Sequence, residues 1–574
     1  MFEEYQQAWD ELTAPGAQFA TKVIEVRGVP IRVFESALPS MRTVWELAKG
    51  YGDRDYIVYE DERLTYAETD ALVRALAARL VDVHGVQPGD RVALAMRNYP
   101  EWVIGYWATV SIGAAVVGMN AWWTTEEMEF GLADSRPKVL IADDERVERV
   151  LPVLDGLRAD NPLALITVRY DGDLPADAAR WTDVIDPAAA PGELPAVEID
   201  PDDDACIFYT SGTTGFPKGA QLTHRGSVHN LLNLVFMTGV ATAAAAKIGV
   251  APKPPATDAD GQPKQTVFMA PTPLFHVTAN NCLLHPATIS GSRIVFTYKW
   301  DAGRALELIE REGVTTFSGV PTMSREMLMH PDWQTRDTSS LAGISGGGAP
   351  VPPDLVDKID KSLAGGAPGT GYGLTETHGI VTASSGALYT AKPSSCGRVV
   401  PTLEAKLVDE SDNEVAPGER GELCVRGAVV IKGYLNRPDA TADAIRDGWF
   451  HTGDVAHIDE DGFVFIVDRI KDMVLRGGEN VYCSEVEAAI YAIEGVAEAA
   501  VFGVPDDRLG EIVGAAIVLA PGVSLTEEQL RDRLGSSLAR FKVPERVWFL
   551  SESLPRNANG KFVKRELKES LLGS

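Results

Sequence analysis

Cysteine is scarce in this 574-residue chain, and the few cysteines are scattered. There are five, and no two of them form a C-x-x-C pair. This usage excludes a disulfide framework and the usual closely spaced zinc motifs, and it predicts a reducing compartment, which we take to be the cytoplasm.

Positive charge is also in short supply. The chain has 53 lysines and arginines against 82 acidic residues, a formal net charge of −29. A field of this sign argues against nucleic acid as a partner and against docking on an anionic membrane. An anionic substrate would have to be met by a few local positive groups.

A long hydrophobic run is missing as well. The most apolar stretch, Val103–Gly118, is shorter than a bilayer span and contains Gly105 and Gly113. We expect a buried helix that leads into a strand at Ala115–Met119, and no stable membrane insertion. The first residues lack the basic and apolar regions of a signal peptide.

Strand and helix patterns alternate over most of the chain. Asp90–Met96 has the pattern of a buried strand, and Leu64–Glu68 opens a helix with a capping-box pattern at Thr65. From about residue 395 the pattern changes to short β segments, and beyond Arg469 a smaller α+β unit follows, with a helix predicted at Leu525–Phe541. The length exceeds one hydrophobic core, so at least two domains of α/β character are expected.

The segment Tyr209–Gly219 is rich in glycine and hydroxyl groups and contains one lysine. An apolar run, Cys206–Tyr209, precedes it, and a helix is predicted from Thr223, which makes a strand–loop–helix element. Glycines let backbone N–H groups crowd around an anion, and Lys218 adds charge, so a phosphate site is indicated. The spacing does not fit the P-loop pattern. An ordinary surface loop is the alternative for this composition alone.

Seven further segments follow in a fixed order, and each could be structural if taken singly. They are Pro273–His276, Ser345–Pro350, Gly369–Thr377, Trp449–Asp454, Val467–Asp472, Arg476–Asn480 and Leu554–Lys561. Together with Tyr209–Gly219 they resemble the motifs of the adenylate-forming superfamily, of the acyl-CoA synthetase type. The resemblance covers roughly Leu64 to Leu567.

This resemblance implies a set of site residues. It implies catalytic roles for Lys561, Glu376, Thr375 and His276, with Glu376 also as the ligand of Mg²⁺. It implies nucleotide or CoA contacts for Thr210, Ser211, Gly212, Thr213, Thr214, Lys218, Gly347, Gly348, Ala349, Pro350, Gly371, Tyr372, Gly373, Asp454, Arg469, Gly477 and Gly478. Lys471 falls at the hinge position, about which the small domain would rotate.

The resemblance also implies a fold, a domain division and a reaction. The fold would be α/β, with a large N-terminal domain of layered α/β subdomains and a β-barrel-like subdomain, and a small mobile α+β C-terminal domain. The domains would span 1–470 and 471–574. The reaction would join a small-molecule carboxylic acid to coenzyme A through an acyl-adenylate, using ATP and Mg²⁺.

Several alternatives stay open at this point. A medium- or long-chain fatty acid is the first expectation for the acid, and an aryl acid is the second. An acyl-adenylating enzyme that loads a carrier protein shares every adenylation motif. A luciferase-like oxygenase is a further possibility, although nothing in the sequence requires oxygen chemistry. A noncatalytic nucleotide-binding module would be expected to lack Glu376 or Lys561, and both are present.

A homodimer is common among members of this superfamily, but nothing in the sequence indicates an interface.

Overall fold

The computed structural model describes residues 1–210, 217–250, 257, 264–349, 351–363, 366–477, 479–557 and 560–573. Four sheets organise them: a long sheet, a seven-stranded sheet, a five-stranded sheet near the C-terminus and a two-stranded hairpin. The predicted α/β class, with a smaller C-terminal unit, is confirmed.

The first part of the chain builds the seven-stranded sheet and begins the long one. Its elements are α1 Phe2–Thr13, β1 Thr21–Val26, β2 Val29–Phe34, α2 Met41–Ala48, β3 Asp55–Tyr59, β4 Glu62–Thr65, α3 Tyr66–Asp82, β5 Arg91–Ala95, α4 Pro100–Ser111, β6 Ala115–Gly118, α5 Thr125–Ser135, β7 Val139–Asp143, α6 Asp144–Val150, α7 Leu154–Asp160, β8 Ala164–Val168, β9 Ala179–Arg180, α8 Trp181–Val184, β10 Asp204–Thr210 and β11 Lys218–Thr223.

Local sequence explains several of these boundaries. Thr65 and Glu68 form the predicted capping box at the start of α3. Pro100 opens α4, whose residues from Pro100 to Ser111 are buried apart from Glu101, and β6 follows it, as expected for Val103–Gly118. The strand order of the sheet is β11-β10-β6-β5-β7-β8-β9, parallel except for the β10–β11 pair.

The prediction of a strand–loop–helix element after Tyr209 was wrong in one respect. Strand β11 comes between the loop and the helix, and it pairs antiparallel with β10, with Thr210 opposite Lys218. The six residues of β11 show no clear alternation of polar and apolar side chains. Their strand conformation is therefore set by hydrogen bonds to β10 and not by the local sequence pattern. The loop is therefore the tip of a hairpin.

The middle of the chain extends the long sheet. Its elements are α9 His224–Lys247, β12 Val267–Ala270, α10 Val277–Ala279, α11 His285–Ile289, β13 Arg293–Phe296, α12 Ala302–Glu312, β14 Thr316–Gly319, α13 Pro321–Met329, β15 Gly343–Gly347, α14 Pro353–Ser362, β16 Ala367–Tyr372, β17 Thr382–Ser385, α15 Gly386–Ala391 and β18 Gly397–Val399. A π-helical turn at Asn280–Leu284 joins α10 to α11.

Helix α9 has the length and apolar character of a membrane span, the only such helix among the described ranges. Half of its most apolar window is buried inside the protein. Buried polar side chains, Asn230 and Asn233 among them, lie on the same helix. This pattern is typical of the core helix of a folded domain.

The β-rich segment predicted after residue 395 adds antiparallel strands to the same sheet. Its elements are β19 Leu403–Val408, β20 Gly421–Gly427, α16 Pro438–Ala444, β21 Ile445–Arg446, β22 Trp449–Ile458 and β23 Phe463–Arg469. The path runs β19-β20-β22-β23-β18-β17-β16-β15-β14-β12-β13-β3-β4, with β21 beside β22. Strands β15, β16, β22 and β23, which carry or adjoin four of the nucleotide motifs, therefore belong to one continuous sheet, whereas β10 and β11 beside the phosphate motif belong to the seven-stranded sheet.

The C-terminal unit has its own sheet. Its elements are β24 Val474–Arg476, β25 Glu479–Val481, α17 Cys483–Tyr491, β26 Val496–Asp506, β27 Gly510–Leu519, α18 Glu527–Gly535, β28 Arg546–Leu550 and α19 Lys564–Leu572. The helix predicted at Leu525–Phe541 is shorter than expected and ends at Gly535. The domain boundary between residues 470 and 471 stays a prediction.

Candidate active site

Asp454 and Arg469 face each other across strands β22 and β23. Arg469 Nε lies 3.2 Å from Asp454 Oδ1, and the Tyr372 hydroxyl donates to Asp454 Oδ2 at 2.6 Å. Both oxygens of one almost fully buried carboxylate are thus engaged, and its orientation is fixed.

Burial and charge act in opposite directions at this carboxylate. Burial raises the pKa of Asp454, while Arg469 and the Tyr372 hydroxyl lower it. Burial and the neighbouring Asp454 raise the pKa of Tyr372 far above its usual range. Tyr372 therefore keeps its proton and acts as a donor to Asp454.

Glu376 lies on a short helical turn just after β16, and its carboxylate is buried. Its backbone carbonyl accepts from Ile431 N at 3.0 Å, and its Oε1 accepts from the Tyr434 hydroxyl at 2.8 Å. Lys218 Nζ lies 5.2 Å from the centre of the Tyr434 ring. These contacts connect the hairpin β10–β11 to the turn that holds Glu376.

Glycines bring backbone segments close together at this edge of the sheet. A Cβ on Gly373 would lie 2.3 Å from the carbonyl oxygen of Gly379, and one on Gly347 would lie 3.1 Å from that of Gly371. Gly348 has a φ of +78°, which favours glycine. Ala349 directly follows it. The predicted glycine turn therefore has a steric basis.

Lys561 belongs to the C-terminal unit but extends into this group of residues. It is held by a tight turn, in which its backbone N–H donates to Asn557 Oδ1 at 3.1 Å. A Cβ on Gly348 would lie 3.8 Å from Lys561 Cε. The turn thus places the ammonium group beside the glycine turn of the large sheet.

The charge of Lys561 interacts with both carboxylates of the site. Burial lowers its pKa to about 8, with Arg469 and Lys471 lowering it further and Asp454 and Glu376 raising it. The structure therefore brings residues from distant motifs into one electrostatic group.

His276 lies at the end of the loop that follows β12. Asn98 holds this loop, accepting from Leu274 N at 2.9 Å and donating to the Thr272 carbonyl at 2.9 Å. Burial, and secondarily Lys561, lower the pKa of His276 to about 3. The imidazole is therefore neutral at physiological pH.

Behind His276 lies a buried polar region formed by α9, the π-helical turn and Gly379. A Cβ on Gly379 would lie 2.5 Å from Cys282 Sγ, 3.5 Å from Asn230 Oδ1 and 3.7 Å from Val277 Cβ. Asn230 Nδ2 donates to the Asn281 carbonyl at 3.2 Å. Asn281 Nδ2 is buried with no hydrogen-bond partner within the described part of the chain. Asn230 and Asn281 thus form an amide wall that contacts Gly379, three residues after Glu376 in the chain.

The remaining predicted residues lie at different distances from this group. Thr375 is on the same turn as Glu376, whereas Lys471 is exposed just past the end of β23. Gly477 lies on an exposed turn of the C-terminal sheet, where its N–H donates to the Leu509 carbonyl at 2.7 Å. Predicted residues outside the described ranges are Ser211, Gly212, Thr213, Thr214, Pro350 and Gly478.

Sequence reasoning missed Tyr434 and the amide wall. Tyr434 contacts Glu376 across 58 residues of sequence, and a single tyrosine in a turn gives no signal of that contact. Asn230 and Asn281 occupy helical positions where a core side chain was the natural expectation. The only signal in the sequence for this wall is the presence of an asparagine in each of two otherwise largely apolar helical stretches.

The arrangement has the chemistry of a nucleotide-activating centre. A fixed carboxylate can accept bonds from vicinal hydroxyls, a second carboxylate offers hard oxygen atoms to a cation, and an ammonium group can stabilise charge on phosphorus. Neutral His276 interacts electrostatically with Lys561, and the amide wall contacts Gly379, which follows Glu376 in the chain.

Comparison with known proteins matches two family models. Residues 44–435 match the AMP-binding enzyme model, and residues 485–561 match the model of the AMP-binding enzyme C-terminal domain.

Curated relatives and solved structures agree with these matches. A feruloyl-CoA synthase of Amycolatopsis sp is 37% identical over 88% of this chain and 93% of its own length. The long-chain-fatty-acid–CoA ligase FadD13 of Mycobacterium tuberculosis is 35% identical over 89% and 93%. ATP-bound MatB from Rhodopseudomonas palustris superposes with a TM-score of 0.76 at 30% identity, covering 92% of this chain and 98% of that chain.

Proposed function

Because the chain belongs to the AMP-binding enzyme family and is an AMP-forming acid–CoA ligase, we propose that its acid is an aryl acid with a polar ring substituent. The observation that carries this proposal is the amide wall of Asn230 and Asn281, which contacts Gly379 in the segment just after Glu376. An alkyl chain packed there would leave buried amide groups unpaired, whereas a ring hydroxyl would satisfy them.

In the first half-reaction the acid carboxylate attacks the α-phosphorus of ATP and pyrophosphate leaves. In our proposal Asp454 accepts bonds from the ribose hydroxyls, and Arg469 and Tyr372 keep that carboxylate in place. Gly347, Gly348 and Gly371 would allow the adenine to approach the backbone closely. Lys218 and the hairpin tip would contact the outer phosphates.

The donor set fits Mg²⁺ at Glu376. The carboxylate is buried and anchored through Oε1 by Tyr434, which leaves Oε2 for a hard cation. Glu376 would hold the ion, and the bound ion would neutralise phosphate charge. Thr375, on the same turn, would contact the α-phosphate.

Lys561 would stabilise the negative charge that accumulates at the α-phosphorus and on the acid carboxylate. Its position beside Gly348, Asp454 and Glu376 supports that role. One fixed donor of this kind contributes about 3 kcal/mol of transition-state stabilisation. In the second half-reaction the C-terminal unit would rotate about Lys471, Lys561 would leave, and the thiol of CoA would attack the acyl carbonyl. The loop at Gly477 and Gly478 would then face the site.

A long-chain fatty acid is the second candidate, because FadD13 is almost as similar to this chain as the feruloyl-CoA synthase. ATP–pyrophosphate exchange with ferulate, unsubstituted cinnamate, octanoate and palmitate separates the candidates. We expect kcat/KM for ferulate to exceed that for cinnamate by roughly 10- to 100-fold. This ratio corresponds to the free-energy penalty of leaving a buried polar group without a hydrogen-bond partner. Exchange with palmitate equal to or above that with ferulate would refute the aryl-acid proposal.

Two variants test whether the amide wall is the source of the selectivity for ferulate over cinnamate. Asn230→Leu should reduce the ferulate-to-cinnamate ratio toward one, because it removes the amide that a ring hydroxyl would meet. Asn233→Leu is the matched control: it lies one turn further along α9, where its amide donates to Thr402 Oγ1 at 2.7 Å, away from the wall. The proposal fails if both variants change the ratio equally.

A further inference from the structure

One face of the β20–β22 pair carries a thiol, an imidazole and a carboxylate that the acid–CoA ligase reaction does not use. Cys424 lies directly opposite His451 in the register, and Glu422 lies two residues before Cys424 on the same face. One ligand atom from each of the three residues lies within 4.8 Å of the other two. Cys424 is buried, and the other two are partly buried.

A single nitrogen atom is at the centre of this cluster. His451 Nδ1 lies 3.4 Å from Cys424 Sγ, 3.0 Å from Glu422 Oε2 and 4.0 Å from Asp412 Oδ1. A neutral imidazole nitrogen carries at most one proton, so it can donate to only one of these three atoms. The cluster therefore holds more electron-pair donors than hydrogen-bond donors.

These separations suit a tetrahedral metal ion. Metal–sulfur and metal–nitrogen distances of about 2.3 and 2.0 Å place neighbouring ligand atoms about 3.3–3.6 Å apart. A mixed set of thiolate, imidazole and carboxylate is characteristic of zinc and of similar divalent ions. No spacing motif marks these ligands in the sequence, because they meet across two strands.

We propose that Cys424 Sγ, His451 Nδ1 and Glu422 Oε2 bind a divalent ion of the zinc class. Asp412 Oδ1, 4.0 Å from His451 Nδ1 and outside that group of three, would move toward the ion to act as the fourth ligand. Asp412 lies on an exposed turn and approaches the cluster from the solvent side, with 52% of its side chain exposed. Arg446 pairs with it at 2.9 Å and would have to share that carboxylate.

Ion binding would release a proton. Coordination breaks the S–H bond, forms the sulfur–metal bond and transfers the proton to solvent. Affinity should therefore increase with pH.

A hydrogen bond and strand β22 connect this cluster to Asp454, the carboxylate proposed to bind the ribose. Glu422 Oε1 accepts from Gly453 N at 2.9 Å, which leaves Oε2 for the ion. His451 lies three residues before Asp454 on β22. An ion bound here would hold in place the strand that presents Asp454.

Co²⁺ is the direct probe, because a thiolate–Co²⁺ bond gives a charge-transfer absorption band. Metal-free full-length protein titrated with Co²⁺ should show this band at one ion per chain, and Zn²⁺ should abolish it by displacement. Cys424→Ser should lose the band. Cys396→Ser is the control, because that thiol contacts the Val464 carbonyl and no imidazole, and it should retain the band.

Two further variants keep the test decisive if Cys424→Ser does not fold. Asp412 has a φ of +62°, which asparagine tolerates well, so Asp412→Asn should fold and bind Co²⁺ roughly tenfold more weakly. Glu422→Gln retains an acceptor for Gly453 N and should weaken binding further. The proposal is overturned if the wild type shows no thiolate–Co²⁺ band, or if both variants bind with unchanged affinity.

Discussion

At the residue scale, Lys561 adds a positive charge to a region that already contains Arg469 and Lys471. Two carboxylates, Asp454 and Glu376, offset those charges only in part, and burial lowers the lysine pKa to about 8. The ammonium form is therefore held close to its titration point. An incoming polyphosphate would stabilise the charged form, so the site is tuned for an anion.

Lys561→Ala should separate the two half-reactions. We expect adenylation to fall by roughly 100-fold or more, the loss measured for removal of one fixed charge-stabilising donor. Thioester formation from presynthesised acyl-adenylate should stay within about threefold, because in our proposal Lys561 would have left the site by that step. Lys568→Ala is the control, a partly exposed lysine whose Nζ lies 3.8 Å from Glu511 Oε1. Equal loss in both half-reactions would contradict the role.

The pH profile of adenylation should show the same group. The protonated lysine is the active form, so kcat/KM should be maintained below the pKa and should fall as the pH rises through about 8. In Lys561→Arg the side chain stays charged, and the alkaline fall should disappear even if the overall rate is lower. An identical alkaline limb in wild type and Lys561→Arg would assign the titration to another group.

At the scale of elements, the pairing between strands β22 and β23 ends at the site. Asp454 and Arg469 form the first pair of this ladder on the site side, and Ile470 N still donates to the Gly453 carbonyl at 2.9 Å. The next residue, Lys471, is exposed and begins the connection to β24. The position predicted for the hinge is thus the point at which the sheet pairing stops.

Lys471→Pro should impair the CoA step more than adenylation. Proline fixes φ near −65° and so opposes the backbone rotation that a hinge requires. We expect thioester formation to fall roughly tenfold or more while ATP–pyrophosphate exchange stays near the wild-type rate. Lys471→Ala removes the side chain and retains the backbone freedom, so it should leave thioester formation largely intact. Normal thioester formation in the proline variant would argue against rotation at this residue.

The predictable part of the fold was the part encoded locally. The buried helix and strand in Val103–Gly118 and the capping box at Thr65 follow from periodicity and from short-range hydrogen bonds. Strand β11 was missed because its partner, β10, and not its own pattern, makes it a strand. The predicted helix at Leu525–Phe541 was too long, because helical pattern alone does not show where packing ends.

The site shows the same division. Asp454, Glu376 and Lys561 were named from motif order, and the structure brings them together. Tyr434 and the amide wall depend on contacts between distant segments, for which a single sequence contains no spacing rule. The cluster at Cys424 was missed for the same reason, since its ligands are neighbours only across two strands.

At the scale of the whole molecule, the C-terminal unit packs against the large sheet, in the arrangement that our proposal assigns to adenylation. Arg325 on α13 lies 5.2 Å from the centre of the Tyr491 ring at the end of α17, and it also pairs with Asp354 at 3.0 Å. A Cβ on Gly560 would lie 3.0 Å from Val320 Cγ2. A few contacts of this kind hold Lys561 in place.

Arg325→Gln should weaken that arrangement. The variant loses the cation–π contact with Tyr491, worth about 0.5–2 kcal/mol, and keeps a hydrogen-bond donor toward Asp354. Adenylation should fall by roughly two- to tenfold, while thioester formation from supplied acyl-adenylate is unchanged or faster. Asp354→Asn is the control, because it breaks the ion pair and leaves the ring contact. A loss confined to thermal stability, with both half-reactions unchanged, would contradict a role in docking.

The pairing of Asp454 with Arg469 has a consequence for the timing of the reaction. Both residues lie on the large-domain side of the predicted hinge, and Lys561 lies on the other side. A rotation about Lys471 would therefore carry the lysine away and leave the ribose contacts unbroken. The acyl-adenylate would stay bound through its ribose while the residues of the C-terminal unit around it change. It would therefore not be released to water between the two half-reactions.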